Sequence, residues 1–406
     1  MKGRRILIIV ENLPVPFDRR VWLEAQTLNA AGAEVSIICP ATKEHPERRE
    51  TLDGIHIYRH PLNDEGTGKI SYIKEYATAL FWQTVLAWRI FLTQGFDTVH
   101  GCNPPDLVFL IAAQFRLFGP KYIFDHHDIV PEFYVAKFGK RGFFWRMLKI
   151  SERLNFWMAS TVISTNESYK AIAIQRGGKR AEDVFVVRSG PDLSRMRRVP
   201  ANPDWKRGKR FHIGYVGVMA EGEGIDLLLE SAQHLIHDRG PDEVQFTLVG
   251  GGPALAHFKA LCSEMGLDDN VEFTGRAPDA DLLEVLSTAD ICVNPDRVNE
   301  MNDKSTMNKI LEYMAMKQPI VQYDVTEGRH SAEDASLYAK PNDAEDFAAK
   351  IAQLLDAPEQ RETMGGYGHQ RLTRDLHWGH SIEPLIAAYK HVRPALGVRL
   401  SKVYNS

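Results

Sequence analysis

Strand-length apolar runs alternate with helical patterns along almost the whole chain, and this alternation constrains the fold more than any other feature. The run RILIIV leads into a helical pattern from about Asp18 to Ala31. Gly32 closes that helix, and AEVSIICP is the next strand-length run. Strands separated by helices predict parallel sheets that are covered by helices on both faces. The expected fold class is therefore α/β, with doubly wound parallel sheets.

The alternation stops once and restarts, which predicts two domains. A chain of 406 residues has the length of two ordinary domains. Residues 190–209 contain Pro, Gly and many basic residues without an apolar period, so they are expected to link domain 1–189 to domain 210–380. Doubly wound domains bind ligands at the carboxyl ends of their strands, so a ligand cleft is expected there.

Composition excludes several classes of protein. The formal net charge of -4 and the isoelectric point of about 6.4 give no case for a nucleic-acid partner. The four cysteines are far apart and show no metal spacing, so buried thiols in a reducing cytoplasm are expected. The sequence predicts no signal peptide. It also predicts no membrane-spanning helix, because no run of 18 apolar residues occurs.

The stretch NDKSTMNKILEYMAMKQPIV is the most informative about a ligand. A polar loop, Asn302 to Thr306, is predicted to lead into a helix that begins near Met307 or Asn308. Free amides at a helix N-terminus suit phosphate. Lys309 and Glu312 share one helix face, where they form either part of a nucleotide site or a surface ion pair. In the first interpretation a diphosphate is held by Lys304, Ser305, Thr306 and Lys309, and Glu312 accepts hydrogen bonds from ribose hydroxyls.

Two glycine turns follow strand-length runs in the second half. Gly250, Gly251 and Gly252 allow close backbone approach to a ligand, or they form a turn that needs positive φ. Gly275 and Arg276 end the next strand, and Arg276 either lies against a nucleotide or is solvated. A third glycine-containing stretch, GYVGVMAEGEGID, does not match the dinucleotide-binding pattern, so a dinucleotide site is weakly supported.

The stretch IFDHHDIVPE places Asp125, His126, His127 and Asp128 at the carboxyl end of a strand. The two histidines point in different directions if the strand continues, so one of them is expected to face the cleft. A metal site is a poor interpretation, because adjacent histidines seldom chelate one ion and no third ligand is obvious. A histidine that bonds a sugar hydroxyl is the better functional interpretation, and a loop histidine that caps the next turn is the alternative.

Residues 137–158 mix basic and bulky apolar side chains. In this stretch Phe144, Met147 and Leu154 fall on one helical side, away from Arg146 and Arg153. Such a helix suits a membrane interface rich in anionic lipid. Packing of an ordinary helix against the domain is an equally good interpretation.

Taken together, these stretches resemble the retaining GT-B glycosyltransferases of family 4. The resemblance covers nearly the whole chain and is strongest to the bacterial branch that assembles surface polysaccharides or lipid-linked oligosaccharides. The family's order is followed by ENLPVPFDRRVWLEA, FDHHDIVPEFY, STVISTN, GYVGVM, LVGGGP, VEFTGR, ADICVNP and KILEYMAMKQPIV.

The resemblance implies a fold, a reaction and partners. Two Rossmann-like domains would hold a nucleotide-sugar donor mainly in the second domain and a saccharide acceptor, carried on a polyprenyl diphosphate, mainly in the first. Residues 381–406 would form a helix that crosses back to the first domain. Transfer would retain the anomeric configuration and need neither metal nor cofactor, in agreement with the lack of a DxD motif at a strand end.

The chain departs from the family pattern around the donor phosphates. The family often has two glutamates eight residues apart; Glu312 matches the second, but Lys304 stands in place of the first. Val218 and Glu223 stand where the family often has an Arg and a Lys that hold the diphosphate. The positive charge is therefore expected from other residues, namely Lys304, Lys309, Arg188 or Arg276. Loss of donor chemistry is the alternative.

The first turn, ENLPVPFDRRVWLEA, carries prolines where the family often has glycines. Pro14 and Pro16 preset its shape. Our hypothesis is that this stiff loop presents Asp18, Arg19 or Arg20 to the cleft, where an arginine touches an acceptor diphosphate. Capping of the helix by Asp18, with both arginines solvated, is the alternative.

The expected function is therefore sugar transfer at a site shared by both domains. Lys309 and Glu312 would act on the donor, and His127 would act near the acceptor with His126, Asp128, Arg19 and Arg20. The expected location is the cytoplasm, with peripheral contact at the inner face of the membrane. Two rivals remain: a catalytically silent protein that binds a glycan or a partner, kept open by Lys304, Val218 and Glu223, and a nucleotide-sugar epimerase.

Overall fold

The computed structural model describes residues 1–61 and 69–392. The chain divides into two compact units. Unit 1 is Met1–Arg188 together with the segment from Ser381 onward, and unit 2 is Ser189–His380.

Unit 1 is built on an eight-stranded sheet. Its strands are β1 Arg5–Ile9, β2 Glu34–Pro40, β3 Arg49–Leu52, β4 Ile55–His60, β5 Thr98–Cys102, β6 Lys121–His126, β7 Thr161–Ser164 and β8 Val184–Val186. The spatial order is β3-β4-β2-β1-β5-β6-β7-β8, and every pair is parallel except β3 with β4. The parallel strands bring the carboxyl ends of β1, β5 and β6 side by side at one edge.

Helices cover this sheet. They are α1 Arg19–Ala30, α2 Lys69–Thr93, α3 Phe109–Phe115, α4 Val130–Phe138, α5 Phe143–Met158 and α6 Glu167–Gln175. The first helix forms where the sequence predicted it: the Asp18 side chain caps it by accepting from the Val21 amide at 3.1 Å. Val21, Ala25 and Leu28 are fully buried, so one face of the helix packs on the sheet.

The hairpin β3–β4 was missed in the sequence analysis, although a local signal for it exists. Asp53 and Gly54 form the turn, with φ of 49° and 80°. Two successive positive φ values match the tight turn that Asp-Gly pairs favour in hairpins. The hairpin adds the only antiparallel strand pair among the described residues of this sheet.

Unit 2 has a six-stranded parallel sheet. Its strands are β9 Phe211–Val216, β10 Val244–Val249, β11 Val271–Gly275, β12 Ile291–Asn294, β13 Ile320–Tyr323 and β14 Ser336–Ala339, in the order β11-β10-β9-β12-β13-β14. Its helices are α7 Ile225–Arg239, α8 Leu255–Glu264, α9 Asp279–Thr288, α10 Glu300–Lys304, α11 Asn308–Ala315, α12 Thr326–Ala332, α13 Ala344–Leu355 and α14 Pro358–Arg371. The helix α15, Trp378–His391, contains the boundary between the units.

The stretch 190–209, expected as a linker, packs on unit 2. The Val199 amide donates to Ser287 Oγ at 3.0 Å, and the Asn202 amide donates to Thr288 Oγ1 at 2.9 Å. Met196 is 2% exposed within the core of this unit. The stretch lacks apolar periodicity because polar side chains of α9 hold much of it, which is why the sequence favoured an open connection.

All four cysteines are buried and free, as expected from their spacing. The segment from Ser381 belongs to unit 1 through specific bonds. Arg4 Nη1 donates to the Tyr389 carbonyl at 3.0 Å, and Ser381 Oγ donates to the Arg188 carbonyl at 2.8 Å. The fold class thus agrees with the expectation, whereas residues 393–406 of the predicted returning helix lie outside the described residues.

Candidate functional site

Glycine turns meet at the carboxyl ends of β9, β10 and β11 in unit 2. The Gly250 amide donates to the Gly275 carbonyl at 2.9 Å, and the Met219 amide donates to the Gly251 carbonyl at 3.0 Å. A Cβ on Gly250 would lie 1.8 Å from the Gly217 carbonyl oxygen, and φ at Gly250 is +148°. The turn-forming interpretation therefore explains Gly250, while the role of these glycines in ligand binding stays a prediction.

Lys309 lies beside these turns, on the first turn of α11. Its Nζ is within hydrogen-bond distance of two carboxylates, Glu223 Oε2 at 2.5 Å and Asp296 Oδ1 at 2.8 Å. The same nitrogen lies 5.0 Å from the centre of the Tyr215 ring, a cation–π contact. A Cβ on Gly217 would come within 2.3 Å of the Tyr215 hydroxyl and 3.3 Å of Lys309 Cε, so the glycine makes room for this cluster.

The charges in this cluster depend on one another. Burial raises the pKa of Asp296 to about 7, against the opposing effect of Lys309. Burial also acts on Glu223, but Lys309 outweighs it and lowers the pKa of that carboxyl. Burial opposes the charge on Lys309 as well, yet Asp296, Tyr215 and Glu223 keep its pKa well above the usual value. In this cluster the charged form of Lys309 and the ionised form of Glu223 are both favoured, whereas the carboxyl of Asp296 titrates near neutrality.

Two more of the predicted donor residues, Lys304 and Ser305, lie just before α11. The helix begins at Asn308, as predicted, and no side chain caps its first turn. The predicted loop before it is wrong in part, because α10 spans Glu300–Lys304. Lys304 pairs with Glu300 at 3.2 Å, one helical turn away. Ser305 Oγ donates to the Met301 carbonyl at 2.8 Å.

The other four predicted donor residues have different surroundings. Glu312 is half-buried on α11, and the ion pair proposed for it as the alternative is wrong, because Lys309 bonds Glu223 and Asp296 instead. Arg276 is exposed, after β11. Thr306 is half-buried before α11, and Arg188 is half-buried at the end of unit 1.

The sequence analysis missed Asp296 and Tyr215 and treated Glu223 only as a departure from the family. The signal for Asp296 was present, since it follows the strand-length run ICVN just as Asp125 follows its own run. The pairing of Glu223 with Lys309 had no local signal, because 86 residues separate the two.

A second buried cluster lies at the carboxyl ends of β5 and β6 in unit 1. Its centre is Asp125, whose carboxylate accepts from Arg20 Nη2 at 2.9 Å. The same carboxylate lies 3.2 Å from His100 Nε2 and 2.6 Å from His127 Nε2. On its far side, His100 Nδ1 lies 2.7 Å from the hydroxyl of Tyr389 on α15. One carboxylate therefore connects α1, two strand ends and the C-terminal helix.

Burial and charge set the protonation of this cluster. Burial works against ionisation of Asp125, but Arg20 and His127 hold its pKa well below the usual value. Glu24 lies 3.2 Å from Arg20 and is fully buried, and burial together with Asp125 raises its pKa well above the usual value. Arg20 and ionised Asp125 thus form the ion pair, and Glu24 lies beside them with its ionisation opposed by burial and by Asp125.

Of the two adjacent histidines, only His127 is partly open, with a side chain 13% exposed. Because Asp125 is ionised, His127 Nε2 is placed to donate to its carboxylate. The Asn103 side-chain oxygen accepts from the His127 amide at 2.7 Å and from the Asp128 amide at 3.1 Å. The ring and the backbone of this turn are therefore both held in place. Asp128 is half-buried, and burial raises its pKa.

The structure corrects the prediction for His126. This residue is fully buried, with the rings of Phe124, Phe156 and Tyr169 at centroid distances of 5.0 to 5.5 Å. Burial lowers its pKa to about 3. A neutral ring packed among aromatic side chains does not line a ligand site, so His126 belongs to the core.

The structure also corrects the prediction for Arg20. Its side chain is 9% exposed and is bonded to Asp125 and, at 2.8 Å, to the Val187 carbonyl. Arg20 therefore supports Asp125 rather than touching an acceptor. Arg19 is exposed, and Asp18 caps α1, so the alternative is right for the cap and wrong for Arg20.

The ligand-type side chains here surround an arginine. Two triads have potential metal-ligand atoms within 4.8 Å of one another: His100, Cys102 and Asp125; and Glu24, Asp125 and His127. Arg20 contacts both carboxylates of the second triad, and Asp125 is common to both. The guanidinium supplies the positive charge that a metal ion would supply, so these residues fit an ion pair better than a cation site.

Comparison with known proteins places both units. Residues 18–190 match the family described as glycosyl transferase 4-like domain, and residues 210–357 match the family described as glycosyl transferases group 1. An alpha-D-kanosaminyltransferase from Streptomyces kanamyceticus is 33% identical over 47% of this chain and 44% of its own length. A GDP-mannose-dependent phosphatidylinositol monomannoside mannosyltransferase from Corynebacterium glutamicum is 25% identical over 47% of this chain and 51% of its own length. The matches thus span about half of these relatives.

Solved structures show the same fold over nearly the whole chain. A sucrose-phosphate synthase from Thermosynechococcus elongatus has a TM-score of 0.77 at 18% identity and covers 95% of this chain and 98% of its own. The Anabaena protein HepE in complex with UDP-glucose has a TM-score of 0.72 at 14% identity and covers 96% and 100%. With both units matched in order, the chain belongs to the family 4 glycosyltransferases and has the GT-B fold.

Proposed function

We propose that the protein transfers a hexose from a nucleoside-diphosphate sugar to a hydroxyl of a saccharide acceptor, with retention of the anomeric configuration. Unit 2 binds the donor and unit 1 binds the acceptor. The observation that carries the proposal is the edge of unit 2, where glycine turns, the uncapped start of α11 and Lys309 lie together. The solved neighbour HepE, which was crystallised with UDP-glucose, supports this choice of ligand.

The donor's nucleotide lies against the turns Gly250–Gly252 and Gly275–Arg276. Its diphosphate lies at the first turn of α11, whose free amides suit phosphate oxygens. Further positive charge and hydroxyl groups come from Lys304, Ser305 and Thr306 of unit 2, and Arg188 supplies a further positive charge. Glu312 accepts hydrogen bonds from hydroxyl groups of the donor.

Lys309 reaches the diphosphate by changing partners. Asp296 is 2% exposed, whereas the Glu223 side chain is 29% exposed, so Glu223 is the partner on the open side of the ammonium. In the donor complex a phosphate oxygen takes the place of Glu223 and is held by a charge-assisted bond. As the bond to the sugar breaks, the charge on the departing diphosphate is offset by Lys309 and the helix amides.

His127 acts on the sugar side of the reaction. With Nε2 bound to Asp125, the other ring nitrogen, Nδ1, forms a hydrogen bond with a sugar hydroxyl. Asp128 and the exposed Arg19 take part in acceptor binding. The proton of the acceptor hydroxyl passes to an oxygen of the departing phosphate, so the reaction needs neither a metal nor a cofactor.

The acceptor is a saccharide carried on a polyprenyl diphosphate, and the product enters a surface polysaccharide. The protein works at the inner face of the membrane, with residues 137–158 in peripheral contact. One relative, the mannosyltransferase of Corynebacterium glutamicum, is named for an acceptor built on phosphatidylinositol, which supports a lipid-borne acceptor.

A thermal-shift screen in EDTA tests donor binding. UDP, GDP, ADP and CMP, each with its common sugars, are the ligands. A nucleotide at ~100 times its Kd adds about 2.7 kcal/mol to stability, so a clear rise in Tm is expected for one base. A rise that appears only when Mg²⁺ is added would contradict the metal-free site.

One observation favours a second candidate, a catalytically silent protein that binds a glycan or a partner. Glu223 and Asp296 already neutralise Lys309, and Glu223 stands where the family often carries a lysine. Turnover of any nucleotide sugar excludes this candidate, and release of an altered nucleotide sugar without an acceptor would point to an epimerase. The absence of both binding and turnover would favour the silent protein.

A further inference from the structure

Exposed apolar side chains are concentrated in unit 1. Among the described residues, seventeen of the eighteen large apolar side chains that face solvent belong to unit 1, and only Val218 belongs to unit 2. Fourteen of the seventeen lie between Phe81 and Trp157, on α2 to α5 and the 3-10 turn Arg116–Phe118. The most exposed are Leu117 at 93%, Leu92 and Phe143 at 71%, and Trp157 at 70%. Such a concentration marks an interaction surface.

The helices that carry these side chains are neighbours. Trp88 of α2 packs against Phe115 and Phe118 at centroid distances of 4.8 and 5.7 Å. The guanidinium of Arg116, in the 3-10 turn, lies 5.8 Å from the ring of Trp157 at the end of α5. The exposed side chains of α2, the 3-10 turn and α5 therefore form one surface, which we call the apolar–basic face.

The charge of this face is of one sign. The stretches 77–93, 107–118 and 133–158 contain eight basic residues and a single acidic one, although the whole chain has a net charge of -4. The acidic residue is Glu152, which is fully buried and bonded to Arg176 at 2.5 Å. The basic residues are Arg89, Arg116, Lys137, Lys140, Arg141, Arg146, Lys149 and Arg153. The exposed charge of these stretches is therefore entirely positive.

The inner side of α5 is fully engaged with the rest of unit 1. Asn155 Nδ2 donates to the Asp106 carbonyl at 2.7 Å, Ser151 Oγ donates to the same carbonyl at 2.6 Å, and Phe156 is fully buried. Since the core-facing side of the helix is already packed, its exposed row of apolar side chains is available for another surface. This result favours the interfacial interpretation of residues 137–158 over simple packing of an ordinary helix.

We propose that the apolar–basic face docks on a bilayer that contains anionic lipid. Aromatic and aliphatic side chains enter the headgroup region, and the lysines and arginines between them meet lipid phosphates. A second copy of the chain fits this face less well, because pairing two such faces would bring the eight basic residues of one copy close to the eight of the other, and like charges repel. No helix in the described part of the chain is long and apolar enough to cross the bilayer, so the contact is interfacial.

The docked face lies close to the acceptor end of unit 1. Ser151 of α5 donates to the backbone carbonyl of Asp106. The side chain of Asp106 in turn accepts a hydrogen bond from Asn103 Nδ2 at 2.9 Å. Asn103 in turn holds the amides of His127 and Asp128. The inference thus deepens the membrane part of the proposed function, since a lipid-borne saccharide would arrive near His127.

Flotation with lipid vesicles tests the inference on the full chain. Vesicles of phosphatidylcholine, with or without phosphatidylglycerol, are the probe. We expect binding only with phosphatidylglycerol, and weaker binding as salt rises. Replacement of Phe143 and Trp157 by Ser should weaken binding at least ~10-fold, because each buries a large apolar side chain in the bilayer. Arg146→Gln and Arg153→Gln should weaken it roughly 5-fold each.

Matched controls separate docking from general damage. Ile382→Ser alters an exposed apolar side chain of unit 1 outside the face, and Arg180→Gln removes an exposed charge that is also outside it. Neither control should change vesicle binding. Circular dichroism and the thermal shift with nucleotide, both measured without vesicles, show whether each variant is folded and whether its donor site is intact.

Three results would overturn the inference: binding to neutral and anionic vesicles alike, no vesicle binding at all, or self-association in ultracentrifugation that the Phe143 and Trp157 changes abolish. The last result would assign the face to a second copy of the chain. Nucleotide binding without vesicle binding would reject docking and leave the donor proposal intact. Vesicle binding without nucleotide binding would reject the donor proposal and leave docking intact.

Discussion

Each unit buries a cation between two carboxyl groups at the carboxyl edge of its sheet, but the two clusters are built differently. In unit 1, Arg20 contacts Asp125 at 2.9 Å and Glu24 at 3.2 Å. In unit 2, Lys309 contacts Glu223 at 2.5 Å and Asp296 at 2.8 Å. In both, burial raises the pKa of one carboxyl, Glu24 or Asp296, while the cation lowers the pKa of the other.

Exposure separates the two clusters. Both carboxyl side chains of the unit 1 cluster are 0% exposed, whereas the Glu223 side chain in unit 2 is 29% exposed. The first cluster also carries His100, His127 and the link to Tyr389. A closed cluster fixes the orientation of His127, and an open one leaves a lysine that exchanges partners when a diphosphate binds. The difference agrees with a supporting role for Arg20 and with the ligand-binding role that is proposed for Lys309.

The largest effect is expected from Asp125→Asn, which leaves Arg20 buried without its ionised partner. Removing one member of a buried ion pair costs about 3–5 kcal/mol. Urea unfolding, with hydrogen exchange at α1 and β6 to locate the loss in unit 1, measures it. Glu182→Gln is the control, because its pair with Arg180 has both side chains more than 60% exposed and is therefore expected to contribute little to stability. Equal losses of unfolding free energy in both variants would mean that the buried ion pair of unit 1 contributes no more to stability than an exposed one.

The next effect concerns His127→Ala. We expect kcat for sugar transfer to fall by ~10²-fold or more, the usual range when a positioned polar group is removed from the reacting centre. Nucleotide binding should not change, because the glycine turns and Lys309, which are proposed to hold the nucleotide, lie in unit 2. Steady-state kinetics beside a nucleotide thermal shift measures both. His126→Phe is the contrasting variant, since that ring lies among aromatic side chains and its loss should leave kcat within ~3-fold.

A third prediction uses the carboxyl of Asp296, whose pKa is raised from 3.8 to about 7 in the folded protein. A raised pKa in the folded state gives stability that is complete below the unfolded value and is lost as pH rises through about 7. Asp296→Asn removes this loss, so the stability of the variant relative to the natural chain should increase with pH, by on the order of 2 kcal/mol.

Urea midpoints from about pH 3 to pH 8 check this prediction, because that range spans both pKa values of Asp296, 3.8 and about 7. Asp242→Asn is the control, since that side chain is 97% exposed and pairs with Lys209 on the surface. A relative stability that does not change with pH would mean that Asp296 stays ionised beside Lys309.

The smallest effect is expected from Glu223→Gln, and its sign is the informative part. The change removes a carboxylate from Lys309, so a diphosphate meets less repulsion and should bind about 5-fold more tightly, or ~1 kcal/mol. Calorimetric titration with UDP and GDP measures it. Glu300→Gln is the matched control, because it removes the carboxylate that pairs with Lys304 in the same region. Weaker binding after Glu223→Gln would show that Glu223 itself holds the donor.

The sequence predicted the elements that depend on local pattern. The strands around RILIIV and FDHH, the cap at Asp18 and the start of α11 all lie where apolar period and capping residues placed them. The hairpin β3–β4 also had a local signal, Asp53–Gly54, so its omission was avoidable.

Neither cluster was predictable, because each depends on contacts between distant parts of the chain. Arg20 and Asp125 are 105 residues apart, and Lys309 and Glu223 are 86 apart. One sequence shows that Arg20 and Arg19 are both charged, but only the packing of α1 on β6 shows which one is buried. The prolines of the first turn lie just before this helix, so the stiff turn leads to a helix whose first arginines have opposite environments.

Calorimetric titration of UDP and GDP in EDTA into the natural chain, His127→Ala and Lys309→Met tests the central claim most directly. The account predicts that one nucleotide binds the natural chain and His127→Ala with Kd values within ~2-fold, and that Lys309→Met weakens binding by ~10-fold or more. Binding that is lost with His127→Ala and kept with Lys309→Met would contradict the division of roles between the units. Failure of both nucleotides to bind the natural chain would contradict the donor site itself.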